Sequence, residues 1–240
     1  YGRSRMEAWL YLPKAPGGGG EGGGEEGGGV RRSGKASVEA ATAAGHRCLI
    51  MGHGLGGQRD FGLHRYADVL AGAGFAVLAF DYRNFGGSDG EPRNWASPSR
   101  HLADWGVALA AVQPGGELSL ARAHPGGRAN GAFGVNCSSV GLWGTSLAGG
   151  HVLVAAARHS PELPVSAIVS QVPHLSGPAA ARESVVRRGL AASLTLGVLA
   201  LHDAARAAIG RSPAYVKLVG PPGSVAFMAL DAAEEVAYFE

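Results

Sequence analysis

The chain has 240 residues, of which 46% are hydrophobic, and its 21 basic and 19 acidic residues give a formal net charge of +2. This size can bury one sizeable core, so a single domain spanning residues 1–240 is expected. The charges of both signs are interspersed, and no basic face or acidic tail indicates nucleic acid or a membrane surface as partner. A small-molecule acyl substrate fits better, and the oligomeric state is left open.

The cysteine count and the hydropathy bear on disulfide bonding, membrane insertion and location. Cys48 and Cys137 allow at most one bridge, and Cys48 lies in an apolar run typical of an interior strand. Both are predicted to be free thiols, because unpaired cysteines are commonly buried. The longest apolar stretch, 190–201, is shorter than the roughly 20 residues of a membrane-spanning helix. No signal peptide is evident and residue 1 is Tyr, so the N-terminus is expected to be incomplete; a soluble, intracellular location is favoured.

The first part of the chain predicts a strand and a glycine-rich insertion. The apolar and aromatic run 8–12, closed by Pro13, is typical of a strand. Residues 17–29 are nearly all Gly and Glu, which cannot bury surface, and they are predicted to form a flexible surface insertion. Residues 113–137, rich in Gly, Pro, Arg and Asn, are predicted to be a second, loop insertion.

From residue 46 onward, strands and helices alternate. The predicted strands are 46–51, 75–81, 140–144 and 165–171, and the predicted helices are 61–73, 98–112 and 147–158. This alternation indicates right-handed βαβ units, and therefore an α/β fold with a doubly wound, mostly parallel sheet. The Ala- and Leu-rich segment 178–210 predicts one or two amphipathic helices, laid over the sheet as a lid.

The strongest chemical signal surrounds Ser146. An apolar strand precedes it, an Ala-rich helix follows it, and the small residues Gly144 and Ala148 flank it at a spacing of two. A serine on such a sharp turn has a strained backbone, and small neighbours let strand and helix pack closely enough to expose its hydroxyl. Ala148 departs from the usual Gly by one methyl group. The pattern predicts that Ser146 is a catalytic nucleophile.

A second signal is the His-Gly loop that follows the strand 46–51. Acyl transfer needs backbone N–H donors aimed at the developing oxyanion. The N–H groups of Leu55 and Leu147 are predicted to be these donors. His53 and Gly54 belong to the same loop, in which His53 is predicted to orient the loop rather than to act as a general base. The alternative is a plain glycine-rich turn.

A third motif, at 81–90, contains Asp81, Ser88 and Asp89 in a glycine-rich turn. Side chains of these types hydrogen-bond the backbone of their own turn, so a structural role is predicted rather than a catalytic one.

Together, these three motifs resemble those of the α/β-hydrolase superfamily. The matching residues are His53-Gly54-Leu55-Gly56-Gly57, Asp81-Tyr82-Arg83, Phe85-Gly86, Ser88-Asp89-Gly90 and Gly144-Thr145-Ser146. The resemblance extends over about 8–172 and points to the serine aminopeptidase-like, Xaa-Pro dipeptidyl-peptidase-like and dienelactone hydrolase-like branches. It implies a serine hydrolase that cleaves an ester, thioester or amide through an acyl-enzyme on Ser146. An acyltransferase with the same site, and a catalytically dead domain that acts by binding, are left open.

A triad of this type also needs an acid and then a His after the serine. The downstream residues considered are His151, His159, His174, His202, Asp203 and Asp231. His151 and His159, on the helix after Ser146, are predicted to be packing or surface residues. None of the others forms the expected sequence of an acid in a turn followed by a His. A truncated chain, with the acid and the His both beyond residue 240, is therefore expected. No cluster has metal-ligand spacing and no dinucleotide fingerprint is present, so neither a metal nor an organic cofactor is predicted.

Overall fold

The computed structural model describes residues 4–13, 45–116, 135, 137–159 and 165–230. The predicted insertion at 17–29 and most of the one at 113–137 lie outside the described residues. The prediction of one domain over the whole chain stays a prediction. The chain divides into two compact units, which are Tyr1–Gly90 with Ala96–Pro173, and Glu91–Trp95 with His174–Glu240.

The first unit is built on a five-stranded sheet with the strand order β1-β3-β2-β4-β5. Strands β2 to β5 pair in parallel, whereas β1 runs antiparallel to β3. The mostly parallel sheet predicted from the alternating pattern is therefore confirmed. The strands are β1 (Ala8–Tyr11), β2 (His46–Gly52), β3 (Phe75–Phe80), β4 (Cys137–Thr145) and β5 (Val165–Gln171).

Helices cover both faces of this sheet. They are α1 (Leu63–Gly72), α2 (Pro98–Val112) and α3 (Leu147–His159). Successive side chains of a strand point to opposite faces, and the two cores follow this alternation. Ile50 and Leu142 pack with α2 and α3 in one core. Met51 and Trp143 pack with α1 in the other. Because each central strand is buried on both faces, its sequence is a nearly continuous apolar run.

The two cysteines form a disulfide bond, so the prediction of free thiols was wrong. Cys48 lies in β2 and Cys137 opens the neighbouring β4, where it pairs with His46. This places the two Cα atoms 5.7 Å apart, within the usual range for a bridge. The sequence separation is 89 residues, and β4 begins earlier than the predicted strand at residue 140. Cys137 was therefore assigned to a loop although it belongs to the sheet.

The second unit contains two helices and a small parallel sheet. Its elements are α4 (Gly177–Arg188), α5 (Leu190–Ala208), β6 (Lys217–Gly220) and β7 (Ala226–Ala229). Ser176 caps α4 by accepting the N–H of Ala179. The buried Arg188 guanidinium donates to the carbonyl of Phe227 and joins α4 to β7. The helices predicted within 178–210 are confirmed, whereas their role as a lid stays a prediction.

In the part of the chain that the structure describes, no helix combines the length and the apolar character needed to cross a membrane.

Candidate active site

Ser146 lies on the turn between β4 and α3. Its φ of 53° is in the left-handed region, which residues other than glycine adopt rarely. Its N–H donates to the carbonyl of Gln171 at the end of β5 (2.9 Å), and its own carbonyl accepts the N–H of Gly150 (3.2 Å). The surrounding structure therefore holds a strained serine in place, as strand-to-helix nucleophile turns do.

Small residues beside Ser146 allow β4 and α3 to approach each other. A Cβ atom on Gly144 would lie 2.3 Å from the carbonyl oxygen of Ala148. A Cβ atom on Gly149 would lie 2.9 Å from the carbonyl oxygen of Gln171. Ala148 is fully buried, and its methyl group fits within the core formed with α2. The departure from glycine at this position therefore leaves the turn intact.

The loop after β2 faces the nucleophile. A Cβ atom on Gly54 would lie 3.2 Å from the Cβ atom and 3.8 Å from the Oγ atom of Ser146. The N–H of Gly57 donates to the carbonyl of Gly54 (3.2 Å), which closes a turn around Leu55. The two segments meet because β2 and β4 are parallel neighbours whose carboxyl ends lie at the same edge of the sheet. Leu147 is the first residue of α3, and the first N–H groups of a helix have no partner within it.

His53 is buried and held by the backbone through both ring nitrogens. Nδ1 lies 2.9 Å from the carbonyl oxygen of Gly54, and Nε2 lies 3.4 Å from the backbone nitrogen of Tyr82. Because a backbone N–H can only donate, Nε2 accepts, and Nδ1 carries the proton. Burial lowers the pKa of His53 to about 4, so the ring is neutral near pH 7. These contacts favour the orienting role over that of a general base.

Behind the loop, buried aromatic rings surround Tyr82. His101 of α2 stacks on Tyr82 with ring centroids 4.1 Å apart, and the Tyr82 hydroxyl accepts the Trp105 indole N–H (2.8 Å). His101 is 2% exposed, and neither of its ring nitrogens has a hydrogen-bond partner among the described residues. Burial lowers its pKa to about 3, with smaller contributions from His151, His53, Arg100 and Arg83. The sequence analysis missed His101, because its position in a helix did not reveal this burial.

The downstream histidines of the first unit, His151 and His159, contact residues of α2. His151 is buried with its ring centroid 5.4 Å from that of His101, and the His159 ring lies 3.2 Å from the position of a Cβ on Gly106. Both histidines therefore pack between α2 and α3.

The remaining candidates belong to the second unit or lie outside the described residues. His174 and His202 are exposed. Asp203 accepts the N–H of Ala214 (2.6 Å), which ties α5 to the segment that follows it. Asp231 lies outside the described residues.

A doubly wound sheet with a serine on the turn after a central strand, its backbone in the left-handed region and opposite a glycine loop, is the arrangement found in the α/β-hydrolase fold. The structure aligns with the crystal structure of the α/β hydrolase GrgF from Penicillium sp. sh18 with a TM-score of 0.58 at 22% identity. The alignment covers 98% of this chain and 61% of that one. The chain has the α/β-hydrolase fold. No protein-family model matches it.

Its relatives include a thiohydrolase and a polyketide transferase. The chain is 34% identical over 180 residues to the quorum-quenching protein AidA of Acinetobacter baumannii, covering 75% of the chain and 51% of AidA. It is 30% identical over 108 residues to the thiohydrolase aneE of Aspergillus aculeatus, covering 45% of the chain and 29% of aneE. GrgF, named a polyketide transferase, is 28% identical over 180 residues, covering 74% of this chain and 50% of GrgF. The chain thus spans about half the length of AidA and GrgF.

Proposed function

We propose that the protein is a serine hydrolase that cleaves an ester, thioester or amide through an acyl-enzyme on Ser146. This proposal rests on the backbone of Ser146, whose φ of 53° lies in the left-handed region, and on the position of this residue opposite the glycine loop at Gly54. That backbone is costly for a serine and brings its hydroxyl to the loop that would supply an oxyanion donor. The relative named a thiohydrolase favours a thioester among the three substrate classes.

The reaction begins when Ser146 Oγ bonds to the carbonyl carbon and its proton passes to a base. The carbonyl oxygen becomes an oxyanion, which the N–H groups of Leu55 and Leu147 stabilise. The C–O, C–S or C–N bond of the leaving group then breaks, and the base returns the proton to that group. Water attacks the acyl-enzyme in the same manner, releasing a carboxylic acid and free Ser146. The residues that act as the base and as the acid that orients it stay predictions.

Acyl transfer is the second candidate, because a relative 28% identical over 180 residues is named a polyketide transferase. An alcohol or amine then replaces water as the group that attacks the acyl-enzyme. The two reactions are separated by supplying acceptor alcohols and amines with the acyl donor and quantifying free acid against acylated acceptor. If free acid is the only product at every acceptor concentration, the reaction is hydrolysis.

The nucleophile is tested by replacing Ser146 in the full-length protein. Ser146→Ala is expected to abolish labelling by a fluorophosphonate probe and to lower turnover of p-nitrophenyl esters and matched thioesters on the order of 10⁴-fold or more. The matched control is Ser139→Ala, on the same strand β4. Labelling mapped to another residue, or turnover retained by Ser146→Ala, contradicts the proposal. A folded protein that is never labelled supports the non-catalytic binding domain instead.

A further inference from the structure

The loop that carries the predicted oxyanion donor is attached to a buried ion pair. We propose that Asp81 and Arg59 form a clamp that holds the loop 53–59 in its oxyanion-binding position, so that both are positioning residues. This inference rests on the proposed function, because it concerns the transition state of that reaction. Neither residue touches the reacting atoms.

Asp81 follows β3 and is 1% exposed. Its Oδ1 accepts the backbone N–H of Arg59 (2.8 Å), and its Oδ2 accepts the N–H of Gly87 (3.0 Å). The Arg59 guanidinium also pairs with Oδ2 through Nη1. Gly86 leaves room for this carboxylate, since a Cβ atom at its φ of 48° would lie 2.0 Å from Oδ2. The carboxylate therefore binds the end of the loop through both backbone and side chain.

Arg59 is held on its other side by the beginning of the chain. Its Nη2 lies 2.5 Å from Oε1 of Glu7, and its guanidinium lies 4.7 Å from the ring centroid of Trp9. A buried charge is stable only when it is paired and hydrogen-bonded. Without Asp81 the Arg59 guanidinium would keep only Glu7 as an ionic partner, and without the guanidinium Asp81 would keep only backbone donors, so the pair fixes the position of the loop end.

The loop is thus attached to the end of β3 at two points. At the start of the loop, His53 accepts the N–H of Tyr82. At its end, Arg59 donates its N–H to Asp81, the residue that precedes Tyr82. Gly54 and Leu55 lie between these two points. An oxyanion donor stabilises the transition state only if it is already in position when charge develops, because reorganisation during the reaction would cost free energy. The clamp is therefore expected to act on kcat rather than on substrate binding.

A second ion pair of the same unit repeats this chemistry away from the loop. Asp104 of α2 is 0% exposed, accepts the backbone N–H of Arg83 (2.9 Å) and pairs with its Nε. It joins α2 to the segment after β3. Asp104→Asn therefore removes a buried carboxylate with the same kinds of partner and is the matched control for Asp81→Asn.

The test compares full-length Asp81→Asn and Asp104→Asn in turnover of a p-nitrophenyl ester, with circular dichroism to measure the folded fraction. Asp81→Asn is expected to lower kcat roughly 10²-fold, the effect of misplacing a catalytic group by about 1 Å, with KM within about twofold of wild type. It is also expected to weaken binding of a boronic acid, which forms a tetrahedral adduct, by a similar factor. Asp104→Asn is expected to change kcat less than about threefold.

Equal kcat losses in the two folded variants, or a loss confined to KM, overturn the clamp. If Asp81→Asn does not fold, Arg59→Met decides, because it removes the guanidinium but keeps the backbone N–H that Asp81 accepts. Arg59→Met is expected to lower kcat roughly tenfold, and an unchanged kcat overturns the proposal. Ser146→Ala is assayed in parallel: activity retained there refutes the proposed function and the clamp together. If Ser146→Ala is inactive and Asp81→Asn is fully active, the clamp is refuted while the proposed function stands.

Discussion

Ser146 has a backbone conformation that costs a residue other than glycine about 1–2 kcal/mol. The structure maintains it by hydrogen bonds to Gln171 and Gly150 and by the burial of Ala148 beside it. Such local strain at a single polar residue is expected where a side chain must be presented for chemistry. At the residue scale, the arrangement of the site is therefore determined by packing around the serine rather than by its own preference.

His101 makes the free energy of unfolding depend on pH. Its pKa is about 3 in the folded protein and 6.5 in the reference state, so between these values the unfolded chain binds a proton that the folded chain does not. The stability is therefore fully present above pH 6.5 and falls as the pH decreases towards 3. His101→Phe is expected to reduce this fall by up to about 1.4 kcal/mol per pH unit between pH 6 and 4, measured by urea unfolding.

The control for His101→Phe is His202→Phe, which replaces an exposed histidine of α5. This variant is expected to follow the wild-type dependence on pH. His53, whose pKa is lowered to about 4, contributes in the same direction and remains in both variants. An identical pH dependence in His101→Phe and wild type would contradict the burial of a neutral His101.

At the scale of the elements, the contact between β4 and α3 determines where Ser146 lies. Gly144 lies one residue before the end of β4 and Ala148 is the second residue of α3, and the two backbones approach so closely that no side chain fits at residue 144. Parallel strands β2 and β4 then bring this turn beside the loop after β2. Neither element could place the site alone, because each contributes one side of it.

Gly144→Ala is expected to displace the turn. The added Cβ atom would lie 2.3 Å from the Ala148 carbonyl oxygen, which belongs to backbone and cannot move away without shifting α3. We expect a loss of about 1–3 kcal/mol in the free energy of unfolding, together with a loss of Ser146 labelling.

Gly72→Ala is the matched control, because a Cβ atom there meets nothing within 4 Å and the residue lies in the last turn of α1. It is expected to raise the stability slightly, by about 0.5–1 kcal/mol, since alanine loses less backbone entropy in a helix than glycine does. Thermal melts and probe labelling of both variants check this, and similar behaviour of the two would show that the close approach at Gly144 is not as described.

At the scale of the whole chain, the Cys48–Cys137 bridge joins two central strands of the first unit across 89 residues of sequence. The enclosed segment contains α1, β3 and α2, so the bridge restricts much of this unit in the unfolded state. Cys137→Ser is expected to lower the free energy of unfolding by about 2–4 kcal/mol under non-reducing conditions. Denaturant unfolding measures the difference, and dithiothreitol should lower the stability of the wild type towards that of the variant while leaving the variant unchanged. Equal stability of both proteins without reductant would mean that the thiols are free in solution.

The sequence by itself determined those features that depend on local patterns. The bounds of the helix at 98–112 and of the strand at 165–171 agree with α2 and β5, because apolar periodicity and flanking Pro and polar residues are visible within each segment. The turn of Ser146 was likewise predicted from its immediate neighbours. The catalytic roles of Ser146 and of the loop residues 53–55 stay predictions.

Only the tertiary structure decided which distant residues meet. The Cys48–Cys137 bridge and the contact between Arg59 and Asp81 join segments separated by whole strands or helices, and no local pattern encodes which strands become neighbours. The burial of His101 likewise follows from the packing of α2 against the sheet, where Tyr82 covers its ring. These contacts depend on strand order, which is set by the burial of both sheet faces at once and therefore by the chain as a whole.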